Sequence, residues 1–384
     1  MRFLNTLFSY GFRPLFLLAA LHALLSISFW SAAWLGFINV EWQRIPMYWH
    51  GHEMIMGLAA AAIGGFLLTA VANWTGRPPV AGIPLALLCA VWLIGRLSMP
   101  WPLLSAIADV SYWSGLWLLV ANEIIRTGNR RNYKVLLVLA LILVSDAVYH
   151  AAELNFPAIQ QQTLWAQIWL VILLINIIGG RVIPAFTGNW LRRQSAATPL
   201  SEQELPAAFS RLDLVAIIAL VIFAVAAVLK LPAPLSVMLG SFALFMQTWR
   251  LARWKFYKTL SEPLVWMMHL AYLWIPVGIA LWTLSLAGLL PVTAAIHALT
   301  IGAISGMIIS IGSRAALGHT GRALRSHPLL TSCIILLSCS ALVRIAGTLW
   351  ASNLLIGISS AAWLAAFACF AVLYVPILLK PSSA

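Results

Sequence analysis

Twelve apolar stretches of about 20 residues recur along this chain, and no other feature narrows its possible folds as far. They lie at about 14–37, 47–73, 82–99, 102–125, 133–153, 163–187, 211–229, 233–254, 264–288, 292–313, 328–350 and 352–379. A helix rises about 1.5 Å per residue, so runs of this length match the hydrocarbon thickness of a bilayer. The alternating segments of about 10 residues that build a membrane barrel are missing. Hydrophobic residues make up 62% of the chain and charged ones 9%, too little polar cover for a water-facing surface. The expected fold is all-α: a polytopic transmembrane helical bundle of about twelve spans, forming one membrane domain over 1–384. The longest connection, 188–210, holds Pro199, Pro206 and the polar run Ser201-Glu202-Gln203-Glu204, and splits the spans six plus six. The two halves show no self-similarity, so an internal repeat is not expected. Short turns predict tight hairpins between spans three and four and between eleven and twelve.

The net charge of +13 sits mainly in the short connections. In that setting it points to membrane lipids as partners and excludes nucleic acid. Of the 23 Lys and Arg residues, 18 fall on the side that holds both termini and the even-numbered connections. Both termini are therefore expected on the cytoplasmic side. The N-terminus lacks a cleavage pattern, so the first span is expected to be retained. Cys89, Cys333, Cys339 and Cys369 lie in apolar segments without CxxC spacing and read as small core residues.

The chemistry concentrates in Trp49-His50-Gly51-His52-Glu53-Met54, at the start of the second span. Imidazoles and a carboxylate are costly in a span and usually face a bundle interior, a cofactor or a proton path. Met47, Met54 and Met56 add soft sulfur ligands nearby. By the topology above, His50, His52, His150 and His297 share the outer third of the bilayer. His269, His319 and His327 lie toward the inner side, and His22 is about eight residues into span one. Two residues apart on a helix, His50 and His52 point about 200° apart and serve different partners, or one orients the other. Gly57, Gly64, Gly65, Gly302 and Gly306 suit close helix packing, or a flat macrocycle. Packing is the commoner use. A lone histidine at a span end is more often an interfacial hydrogen bonder than a ligand, which is the reading adopted for His22, His150 and His327.

Several motifs together resemble the NnrS family. They are Gly11-Phe12-Arg13-Pro14, the His50-to-Met54 segment, Gly65-Phe66-Leu67-Leu68-Thr69-Ala70-Val71 with Asn73-Trp74-Thr75-Gly76, Gly179-Gly180-Arg181-Val182-Ile183-Pro184, and the run from His297 through Ser313-Arg314 to Gly318-His319-Thr320-Gly321-Arg322. The resemblance implies a multi-pass protein of the bacterial inner membrane that binds heme b and copper and is linked to nitric oxide, in denitrification or nitrosative stress. It implies His50, His52, His269, His297 and His319 as ligand candidates, and Arg181, Arg314 and Arg322 as partners for propionates or other anions. On that basis His50 or His52 with His297 is expected to hold a heme, and His269 with His319 a second site. The resemblance supplies no turnover reaction and no electron donor. Two other functions stay open on the sequence: a proton- or metal-coupled transporter using Glu53, Asp109 and Asp146, and an assembly partner of a respiratory complex.

Overall fold

The computed structural model describes residues 2–42, 44–195 and 200–382, and Pro199 lies outside them. Among the described residues the chain is helical throughout its ordered elements, with no strand. Each of the twelve apolar stretches is a helix: α1 (Phe12–Trp34), α2 (Pro46–Thr75), α3 (Ile83–Leu97), α4 (Pro102–Arg126), α5 (Tyr133–Asn155), α6 (Gln160–Gln194), α7 (Arg211–Val228), α8 (Ala233–Ala252), α9 (Pro263–Leu286), α10 (Val292–His319), α11 (Pro328–Leu349) and α12 (Asn353–Leu379). Ten of them are long and apolar enough to cross a membrane. The other two are α8 and the shorter apolar α3, of 15 residues. The protein is a multi-pass helical membrane protein.

Turn chemistry sets the helix ends. Gly76 stops α2 in the left-handed conformation, φ 68°, which costs glycine nothing, and its N–H caps the Ala72 carbonyl. Proline opens α2, α4, α9 and α11, where its missing N–H would have had no helical partner. Three helix pairs close as tight hairpins: α3 with α4, α7 with α8, and α11 with α12. The first and last were expected and the middle one was not.

Two helices depart from α geometry. Glu53–Ala59 in α2 and Ala298–Ser305 in α10 are π-helical. Such turns widen the helix by one residue and re-aim the side chains around them.

The chain forms two compact units. Unit one comprises 1–171, 311–324 and 367–384, and unit two comprises 172–310 and 325–366. The division falls within α6, α10 and α12 and not in the 188–210 connection. In unit one α2 packs on α1 and α4, and α4 also packs on α3 and α5. In unit two α8 lies between α7 and α9, and α10 packs on α9 and α11.

The glycines serve packing. A methyl at Gly57 would meet the His22 ring, one at Gly64 the Tyr112 hydroxyl and one at Gly302 the Trp274 ring. Their faces are filled by neighbouring helices, which leaves no slot for a macrocycle there. Unit one is closed by its ends: the buried Arg13 guanidinium donates to the carbonyls of Leu378 at 2.8 Å and Lys380 at 2.6 Å. Cys89 and Cys333 are buried as expected, whereas Cys339 is exposed.

Candidate metal centre

Five helices of unit one bring titratable side chains to one buried place. α2 supplies His52 and Glu53, α3 Arg96, α4 Asp109, and α1 His22. α5 supplies Asp146, His150 and Glu153, whose i, i+4, i+7 spacing puts all three on one face. His52, Asp109, Asp146 and His150 are each no more than 3% exposed.

His52 Nε2 lies 3.0 Å from Asp146 Oδ1 and 4.0 Å from Asp109 Oδ2. His150 Nε2 lies 3.3 Å from Asp109 Oδ2 and 3.9 Å from Asp146 Oδ2, while its Nδ1 is 3.7 Å from Glu153 Oε2. The Tyr149 ring stacks on His52 at 4.4 Å. Arg96 donates to Asp109 and, at 2.9 Å, to Glu53 Oε2. Glu53 also approaches His22 Nε2 at 3.4 Å, and Arg44 approaches Glu153 at 3.5 Å. The result is one connected chain of charges from Arg44 to His22.

Its charge does not close. Four carboxylates (Glu53, Asp109, Asp146, Glu153) face two guanidinium groups (Arg44, Arg96), an excess of two negative charges with neutral imidazoles. Buried charge left uncompensated costs several kcal/mol per ion, roughly, so the site calls for a cation or for protons on its histidines. Its donors also have spare capacity: His52 Nδ1, Asp109 Oδ2, Asp146 Oδ2 and both ring nitrogens of His150 make no hydrogen bond. One ligand atom from each of His52, Asp146 and His150 fits within 4.8 Å of the others. Bonds of about 2.0–2.1 Å set ligand–ligand separations near 3.3 Å in a tetrahedral site, within reach of small side-chain shifts. Imidazole with carboxylate suits a first-row transition ion. The residues fit a metal ion.

The other expected residues are placed as follows. His50 points away from His52 and stacks on Trp30, 4.5 Å between ring centroids and 5° between planes, so the two histidines do serve different partners. The Met56 sulfur accepts from Trp113 Nε1 at 3.1 Å, and Met47 is exposed. His319 lies against Tyr10 and Phe12 in unit one. Arg314 and Arg322 are half-buried in the same unit, the buried Arg322 Nη1 making no hydrogen bond.

His269 and His297 belong to unit two. The Thr187 hydroxyl donates to the Ile183 carbonyl and so accepts from His269 Nε2 at 2.9 Å, which leaves the lone pair on the buried, unbonded Nδ1. His297 Nδ1 donates to the Thr293 carbonyl at 2.8 Å, which puts its lone pair on Nε2. Arg181 Nε donates to the Ile177 carbonyl at 3.4 Å. His327 caps α11 by accepting from the Leu329 N–H.

Two features escaped the sequence reading. His150, by its place at a span end an expected interfacial hydrogen bonder, is central; the acidic residues four before and three after it on one helix face are the available signal. Unit two also holds a buried network. There Arg250 donates to Asp213 Oδ1 at 2.9 Å and to Asn176, and Gln247 and Tyr272 complete it. Asp213 faces two guanidinium groups, Arg250 and, at 3.4 Å, Arg253, so the network braces α6 to α9 and has no excess negative charge to attract a metal ion.

No curated protein matches this chain. The family model described as NnrS protein matches residues 6–382, nearly the whole length. A polytopic helical protein with buried histidines on α2, α5 and α9, matched from end to end, thus belongs to the NnrS family.

Proposed function

We propose that this protein binds copper and heme b in the bacterial inner membrane and acts in nitric oxide metabolism or tolerance, by binding, sensing or converting the gas. Membership of the NnrS family supports the link to nitric oxide. The observation that carries the metal reading is the buried His52–Asp146–His150 cluster, with its unused donors and more carboxylates than guanidinium groups around it. His52, Asp146 and His150 would hold copper, with Asp109 as a fourth ligand and second oxygen donor. The imidazoles outside this cluster, His50, His269, His297 and His319, are the heme candidates.

A bound metal with an open coordination position supplies the place where nitric oxide is held. The chain itself does the rest. Arg96 holds the Glu53 and Asp109 carboxylates in place beside the donors by hydrogen bonding to both, Tyr149 fixes the plane of the His52 ring by stacking, and the packed glycine faces of α2 exclude water.

A second reading, a metal-coupled transporter, draws on the unbroken chain of ionisable groups from Arg44 to His22. The absorption spectrum of the purified protein decides. A Soret band that moves on adding nitric oxide, with copper that is lost in His52→Ala and His150→Ala, is expected. A colourless protein that carries copper across vesicles would overturn the proposal in favour of transport.

A further inference from the structure

α2 and α10 have the same design. Counted from His52 and from His297, the two stretches run without a gap for 26 residues, to Arg77 and Arg322. Both place glycine at the fifth position on (Gly57, Gly302) and both end in Thr-Gly-Arg (75–77, 320–322). Both turn π-helical at the residue after the histidine, over Glu53–Ala59 and Ala298–Ser305. Both end on a left-handed glycine, Gly76 at φ 68° and Gly321 at φ 70°. π turns are rare in helices and concentrate at functional sites, so two in one register are a shared device.

α6 carries a third, weaker copy. Ile63-Gly64-Gly65 followed by Asn73-Trp74 in α2 matches Ile178-Gly179-Gly180 followed by Asn189-Trp190 in α6, with one residue inserted. Counting back 13 residues from Gly65 reaches His52, and from Gly180 it reaches Gln167. The copies sit in the second, sixth and tenth helices. The hairpins keep the same spacing, between third and fourth, seventh and eighth, and eleventh and twelfth, with connections of 98–101, 229–232 and 350–352. α4 and α8 both open on Pro-x-Pro-Leu, at 100–103 and 232–235. A period of four helices leaves the two six-helix halves out of register with each other.

We propose that the fold is a four-helix unit used three times, whose second helix carries a ligand position filled by His52, Gln167 and His297. Resting on the metal-centre reading above, this makes His297 a second imidazole ligand for a transition metal, free or in heme. Its Nδ1 donates to the Thr293 carbonyl, the kind of backbone hydrogen bond that orients a metal-bound histidine. Gln167 is fully buried, its Nε2 lies 3.5 Å from Asp146 Oδ1, and its Oε1 makes no hydrogen bond. The middle unit thus sets an amide beside the Asp146 carboxylate, and with that amide turned over its Oε1 would be a neutral oxygen donor to the His52 centre.

The test uses the full-length protein in detergent. Copper per chain is measured by mass spectrometry, heme by its pyridine hemochrome, and coordinated nitrogens by electron paramagnetic resonance of bound Cu(II). His52→Gln and His297→Gln keep a buried hydrogen-bonding side chain and copy the residue of the middle unit. Each is expected to lose copper or heme, with affinity reduced at least about 10-fold. Gln167→His is expected to bind Cu(II) about 10-fold tighter and to show an added nitrogen. Loss in His52→Gln alone overturns the inference and leaves the metal centre standing. Loss in His297→Gln alone overturns the equivalence of the two positions. Loss in neither removes the metal-centre reading and the inference with it. An unchanged nitrogen count in Gln167→His takes Gln167 out of the ligand set.

Discussion

At the scale of single residues, Arg96 holds the most exposed balance, although it is deeply buried. Its fork donates to Asp109 and Glu53 at once, so Arg96→Met would leave two carboxylates buried without a cation. Stability should fall by about 3–5 kcal/mol, read as a lower midpoint of thermal unfolding in detergent. Arg96→Lys keeps the charge without the fork and should fall between the two. A midpoint equal to wild type in Arg96→Met would show that the carboxylates have another cation. The histidines were only partly legible in the sequence. His52 announced itself through its neighbours His50 and Glu53. Asp109 and Arg96 reach the site from other helices, and no periodicity within one helix relates residues that meet only by packing.

At the scale of elements, the π turn below His52 is the testable device. Removing one residue from Glu53–Ala59, as in a deletion of Met54, would restore α geometry and turn His52 by about 100° relative to the rest of α2. Copper binding should be lost while the protein still inserts and expresses; retained binding would show that the π turn does not aim His52. The same deletion in Ala298–Ser305 should act on His297. All twelve helices were legible because apolar length is written directly in composition. The π turns were not, because a shift of backbone hydrogen bonding from i+4 to i+5 leaves no mark in the pattern of apolar residues. The proposed four-helix period is hard to read for a different reason: the long 188–210 connection suggests halves, and the length of a loop does not mark a boundary between units.

At the scale of the whole molecule, the distribution of basic residues leads us to propose that both termini face the cytoplasm. Reporter fusions at 154–162 should read outside and those at 188–210 inside; the opposite pattern would reverse the side to which the His52 centre is nearer. The expected single domain has a finer texture, two units whose boundary crosses three helices. Hydropathy cannot show which helices are neighbours, so that division had no signature in the sequence. It has a consequence in time. Arg13 and its acceptor Leu378 are 365 residues apart, and both belong to unit one. At about 5–20 residues per second, a ribosome needs roughly 20–70 s to make that stretch. Through that interval the first helix carries a cation whose final acceptors do not exist, so it must lean on lipid phosphate or on the insertion machinery. Unit one is then both the first part begun and the last completed, and ending the chain before Leu378 should leave it open to protease at α1 while unit two stays resistant.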